Sequence, residues 1–194
     1  MAIRRTLLAL ATLAVAALGL VLLTAFAWPE AGPPPPPSAL NIGPIDQFEP
    51  GTAVAWRFDT SDDGGAWTRT PWGPEVLGSL GFWLVRLDTG EVRALFHRSP
   101  FQGCTIPWRP TFLLPSARDR PPGYFRDPCH GATFTLDGRW VDGPSLRDMD
   151  WFAVHVESDG DVIVDLTEAH AGEVHHGVPS WDRPRPTVAG WSAR

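Results

Sequence analysis

Two stretches decide the reading of this chain: Ser99-Pro100-Phe101-Gln102-Gly103-Cys104-Thr105-Ile106-Pro107-Trp108 and Asp127-Pro128-Cys129-His130-Gly131-Ala132-Thr133-Phe134. Between them they hold both cysteines of the 194 residues. The segments on either side read as strands. Ala53 to Phe58 alternates as a half-buried strand, and Trp83 to Leu87 is a second, closed by the turn Asp88-Thr89-Gly90. Val92 to Phe96 returns as a third. Beyond the second stretch, Phe152 to Val156 and Val162 to Asp165 flank Ser158-Asp159-Gly160-Asp161, a hairpin signal. From Asn41 onward the pattern is all-β, without convincing helical periodicity.

Taken together, the two stretches resemble the cluster boxes of the Rieske iron–sulfur family, which reads C-T-H-L-G-C-T-V-P-W and C-P-C-H-G-S-x-F. The shared frame is Gly103, Cys104, Thr105, Pro107 and Trp108, then Pro128, Cys129, His130, Gly131 and Phe134. Phe82 to Leu95 looks like the hairpin entering the first box. Asp137 to Pro144, with Gly143-Pro144, looks like the stretch ending in the loop that shields the cluster. Val162 to Asp165 looks like the closing strand, so the resemblance runs over residues 42–167. There are 25 residues between Phe101 and Asp127, more than the family has, and the excess lies within Arg109 to Arg126.

The ligand positions do not follow the family. A Rieske centre holds one iron with two thiolates and the other with two imidazoles. Ser99 stands at the first ligand cysteine, Phe101 at the first ligand histidine and Asp127 at the second ligand cysteine; His130 alone is kept. Phe101 has no lone pair to give, and Ser99 and Asp127 offer hard oxygen where soft thiolate is wanted. A second register takes Cys104-Thr105-Ile106 as the first ligand box. His130-Gly131 fixes the other box so that Asp127 takes the ligand-cysteine position, and neither register restores four ligands. The resemblance therefore implies an all-β, Rieske-like fold of small antiparallel sheets. An inserted cluster-type subdomain would lie at about 96–135, with no 2Fe-2S cofactor expected. Cys104 and Cys129 match the non-ligand pair that the family joins by a disulfide, and an exported domain with two cysteines usually bonds them.

The N-terminus supports export. Thr6 to Ala27 is 22 residues without a charge, long enough to cross a bilayer core as a helix. Arg4 and Arg5 precede it, which keeps the N-terminus cytoplasmic and places the domain on the outer, periplasmic side of the plasma membrane. The rival reading is a cleaved signal peptide ending at Ala25-Phe26-Ala27. Residues 1–28 are thus read as a transmembrane anchor, 29–40 as a linker stiffened by Pro33 to Pro37, 41–167 as the Rieske-like domain and 168–194 as an extended tail. Setting aside Arg4 and Arg5 leaves 14 arginines against 22 acidic residues and no lysine. That balance argues against nucleic acid as a partner and is compatible with a basic protein such as a cytochrome.

Few other residues invite a chemical role. His130 and Asp127, with His97 as a third donor, would make a mononuclear metal site. The simpler expectation is a histidine hydrogen-bonded in a vestigial loop. Phe101, with Trp108, either fills the vacated cluster volume or points outward to a partner. His170, His175 and His176 are read as solvated tail histidines, Asp62 to Pro74 as an exposed loop inserted between strands, and Trp67 or Trp72 in that loop as an interface contact. Nucleophile elbows, phosphate loops, dinucleotide fingerprints and H-E-x-x-H are all absent, so no catalytic residue is assigned. The expected function is that of a cluster-less, non-enzymatic subunit of a membrane electron-transfer complex. The alternatives are an active 2Fe-2S carrier with unusual ligands and the mononuclear metal protein.

Overall fold

The computed structural model describes residues 13–15, 17, 19, 39–57, 67–76 and 81–184. The chain divides into two compact units, Met1–Pro33 and Pro34–Arg194. In the first unit the described residues are helical, with Leu13 and Val15 exposed. Among the described residues no helix is long and apolar enough to cross a membrane. Most of the Thr6–Ala27 stretch and the whole proline run lie outside the described residues.

The second unit is built of antiparallel strands. Its strands are β1 (Ala39–Pro44), β2 (Thr52–Arg57), β3 (Trp67–Thr70), β4 (Gly73–Val76), β5 (Gly81–Arg86) and β6 (Val92–Phe96), then β7 (Trp108–Arg109), β8 (Tyr124–Arg126), β9 (Thr133–Phe134), β10 (Trp140–Asp142), β11 (Trp151–Val156) and β12 (Asp161–His170). Short 3-10 turns at Ile45–Gln47 and Ser180–Asp182 are the other regular elements of this unit among the described residues. The large sheet runs β2-β5-β6-β11-β12-β3-β4, with β1 also paired to β12. A four-stranded sheet, β10-β9-β8-β7, carries the two boxes at its ends. Among the described residues the single parallel contact, Glu168 opposite Arg69, joins β12 to β3.

Alternation decides the layering. On β5 and β6, Phe82, Leu84, Ala94 and Phe96 face a core closed by Ile42, Phe152, Val162 and Val164. Val85 and Leu95 face the other way, onto Ile106, Phe125, Phe134 and Met149 of the small sheet and its loops. All five residues of β6 are buried because both faces are covered. Arg93 sits there at 5% exposure, held by Glu91 and by the Asp137 carbonyl. The sheets are locked at Phe125, whose ring lies 5.6 Å from Trp83 and 4.8 Å from Trp108. Trp83 Nε1 donates to the Ile106 carbonyl across the same seam at 2.8 Å.

Two expectations are corrected. The Asp62–Pro74 stretch is not loop throughout: its second half forms the β3–β4 hairpin, with Thr70 Oγ1 donating to the Gly73 carbonyl in the turn. Residues 171–184, the described part of the stretch after His170, are packed rather than free. They fold back: Arg183 pairs with Asp148 at 2.6 Å, Arg147 bridges to Val174, and Trp181 packs on Leu114, Ala117, Tyr124 and Val141. This third small core lies largely within the long Arg109–Arg126 insertion, so insertion and tail cover one another.

Candidate functional site

The first box is a tight loop between β6 and β7. The Ser99 amide donates to the Cys104 carbonyl at 2.7 Å, and the Gly103 amide donates to the Ser99 carbonyl at 3.1 Å. Reversal at the tip needs two left-handed residues, Gln102 at φ 60° and Gly103 at φ 71°. Ser99 is fully buried, and its Oγ accepts the Phe101 amide at 3.2 Å, a serine turn that fixes the Phe101 backbone.

The second box, between β8 and β9, is organised by Asp127. Its Oδ1 accepts the amides of Cys129 at 2.8 Å and of His130 at 3.2 Å. Its Oδ2 faces His130 Nδ1 at 3.3 Å, and Ser99 of the first box lies near enough to favour the charged carboxylate. Burial alone would raise the carboxyl pKa. Ser99, the two amides and the His130 ring more than offset it and hold Asp127 below the usual carboxylate range. The Asp127 amide closes the loop by donating to the Ala132 carbonyl at 2.8 Å.

The boxes meet at three places. Cys104 and Cys129 form a disulfide, with Cα atoms 6.4 Å apart. Ser99 comes near Asp127 beneath it. Above it the Phe101 ring stands edge-on to the His130 ring, centroids 5.1 Å apart and planes at 81°. Gly143-Pro144 closes over the second loop. A Cβ on Gly143, at φ 82°, would meet the Gly131 carbonyl at 2.6 Å and the Ala132 Cα at 2.8 Å, so only glycine permits this approach.

The structure therefore brings Ser99, Phe101, Cys104, Asp127, Cys129 and His130 together, with the half-buried Phe101 ring against the exposed His130. Trp108 is apart from that contact, tilted at 56° against Phe125. His97 does not join them as a donor. Its ring packs beside Phe96 and against Gly81, and burial, then Arg98 and Arg57, pushes its pKa down to about 4. Among the described residues the single set of three His, Cys, Asp or Glu donors within metal-binding reach is Cys104, Asp127 and Cys129. Neither His97 nor His130 belongs to it.

The donor set does not fit a two-iron cluster. The thiolate positions are a serine and an aspartate, one imidazole position is a phenyl ring, and the cysteines at hand are joined in a disulfide.

Other supporting residues went unread in the sequence. Arg126 donates to the Gly131 carbonyl and to Thr133 Oγ1 from beneath the second loop, with its guanidinium over Phe112 at 4.9 Å. His175, expected in solvent, is 4% exposed and stacks on Trp140 at 3.8 Å. Burial lowers its pKa; its Nε2 bonds the Ser145 carbonyl at 2.6 Å and Nδ1 accepts the Gly177 amide. His170 is half-buried beside Trp151, and His176 is exposed. Trp72 is 47% exposed, with the Arg147 guanidinium over its ring. The Asp and Ser turns at Asp127 and Ser99 had a local signal, a short polar side chain two residues before a loop amide. Arg126 and His175 had none.

No protein-family model matches the chain, and no curated protein matches it. Among solved structures it is similar to the plasma membrane Rieske protein PetC3 of the cyanobacterium Synechocystis PCC 6803. Identity there is 25%, covering 64% of this chain and 97% of that one, with a TM-score of 0.37. It is also similar to a protein of Mycobacterium tuberculosis assigned as an NADH-dependent nitrite reductase small subunit. Identity there is 20%, covering 65% of this chain and 92% of that one, with a TM-score of 0.36.

Proposed function

We propose that this chain is a Rieske-like protein in which the cluster position has become part of the packing, and that it serves as a non-redox, membrane-anchored subunit of a membrane electron-transfer complex. The observation that carries the reading is the Phe101–His130 ring contact, with Asp127 bonded to the Cys129 and His130 amides and facing the His130 ring. Together these convert ligand positions into internal partners while the turns, the disulfide and Gly143 keep the two loops in place. Such a site can present a surface but cannot carry an electron.

The anchor and location follow from the charge-free Thr6–Ala27 stretch behind Arg4 and Arg5. The acidic balance suits a basic partner such as a cytochrome. Leu146 is 80% and Val174 52% exposed; the first follows the Gly143-Pro144 loop and the second pairs with its neighbour Arg147. Exposed apolar side chains there suit docking.

Extraction of the native membrane in mild detergent tests this. The chain is expected to sediment with the membrane, resist alkaline carbonate, and co-purify with redox subunits. A chain released by carbonate and recovered alone would overturn the reading.

A further inference from the structure

Cys104 Sγ, Cys129 Sγ and a carboxylate oxygen of Asp127 lie within 4.8 Å of one another. We propose that the disulfide is the closed state of a metal site: once reduced, Cys104, Cys129 and Asp127 bind one thiophilic divalent cation of the zinc class. This stands independently of the subunit reading, since it concerns the two cysteines that the family does not use as ligands.

The donor chemistry fits. Two thiolates and a carboxylate are zinc donors, and bonds of about 2.0–2.3 Å require ligand atoms about 3.5 Å apart in a tetrahedron. Breaking the S–S bond lets the sulfurs separate to that range, and a small contraction brings in Asp127. The loops keep their shape without the bond. The Ser99, Ile106 and Asp127 amides donate to the carbonyls of Cys104, His97 and Ala132 at 2.7–2.8 Å, and the Cys129 amide is held by Asp127 itself. The cation takes the Asp127 Oδ2 position that His130 Nδ1 faces at 3.3 Å, the longest of the carboxylate's contacts, while the two amides on Oδ1 keep the carboxylate oriented. A water takes the fourth position on the exposed side of Cys129.

The reductant is an external dithiol. One of its thiolates attacks the exposed Cys129 Sγ, and Cys104 leaves as a thiolate, taking up a proton. The second thiol closes the reductant's own disulfide and releases Cys129. Two electrons pass to the protein sulfurs, and the cation then displaces two protons to water.

The test titrates Co2+ into oxidised and dithiol-reduced full-length protein, with reductant removed anaerobically. The reduced form is expected to take one Co2+ per chain with thiolate-to-cobalt charge-transfer absorption, displaced by Zn2+; the oxidised form takes none. Asp127→Asn should weaken binding about tenfold or more. Bound Zn2+ should also shield both cysteines of the reduced wild type from alkylation, a readout that needs no variant. Absence of stoichiometric binding by the reduced form, equal binding by the oxidised form, or cysteines alkylated equally fast with Zn2+ present would each overturn the proposal.

Discussion

Asp127 shows how a position suited to a metal ligand can serve packing instead. A buried carboxylate is costly unless its oxygens are occupied. Here the Cys129 and His130 amides and the His130 ring occupy them, with Ser99 near. Asp127→Ala leaves those donors without a partner in a closed loop, and the expected cost is about 2–3 kcal/mol in urea unfolding. Asp127→Asn, which can still accept from the two amides, should lose less. Equal losses would mean that charge rather than hydrogen bonding holds the loop.

His97 sets a pH dependence of opposite chemical kind. Its folded pKa is lowered from 6.5 to about 4, first by burial and then by Arg98 and Arg57. The unfolded chain therefore binds the proton first as pH falls. Stability is full above pH 6.5 and declines toward pH 4, by at most about 1.4 kcal/mol per pH unit and less where solvent reaches the half-buried ring. His97→Gln should flatten unfolding free energy over that window. An unchanged slope would place its source elsewhere, His175 being the next candidate because burial lowers its pKa as well.

At the scale of elements, the disulfide and the tail do the work of bracing. The bridge joins residues 25 apart in sequence, and its reduction is expected to cost about 3 kcal/mol in the chain-entropy account, read as a fall in urea midpoint. The tail covers the insertion core through Trp181, over which Arg120 stacks at 5.4 Å. Trp181→Ala should cost about 1–2 kcal/mol, since the ring is only partly buried, and should speed proteolysis within 109–126 relative to the rest of the domain.

Which elements the sequence made legible follows from what holds each one. β2, β5, β6, β11 and β12 are short apolar runs with β-branched and aromatic residues, most of them bounded by turn signals, so their strands could be read locally. The β3–β4 hairpin lies among Gly, Asp and Pro, which signal loop; its place depends on one pair with β12. The tail has no periodicity because Asp148, Trp140 and the insertion hold it, none of them near in sequence. In the site, residue identity told which donors were missing. It could not tell that the Phe101 ring stands edge-on to His130, or that Ser99 comes near Asp127, because those contacts exist only once the two loops meet.

Across the second unit, frame and cargo are separable. The antiparallel sheets, the paired loops and the glycine at 143 form the scaffold, and on the proposed reading it closes on side-chain contacts in place of a cluster. Restoring the ligands should therefore be a matter of side chains alone. Ser99→Cys, Phe101→His and Asp127→Cys together are expected to permit a Rieske-type signal after reconstitution, and any two of them without the third are not. A signal from a double variant would mean that another group supplies the missing donor.

The most direct measurement is iron and acid-labile sulfide, with a reduced-state electron paramagnetic resonance spectrum, on native protein extracted from the membrane with its partners bound. The account predicts neither iron nor sulfide assignable to this chain and no Rieske-type signal. Two irons and two sulfides per chain with such a signal would contradict it and make the protein an electron carrier.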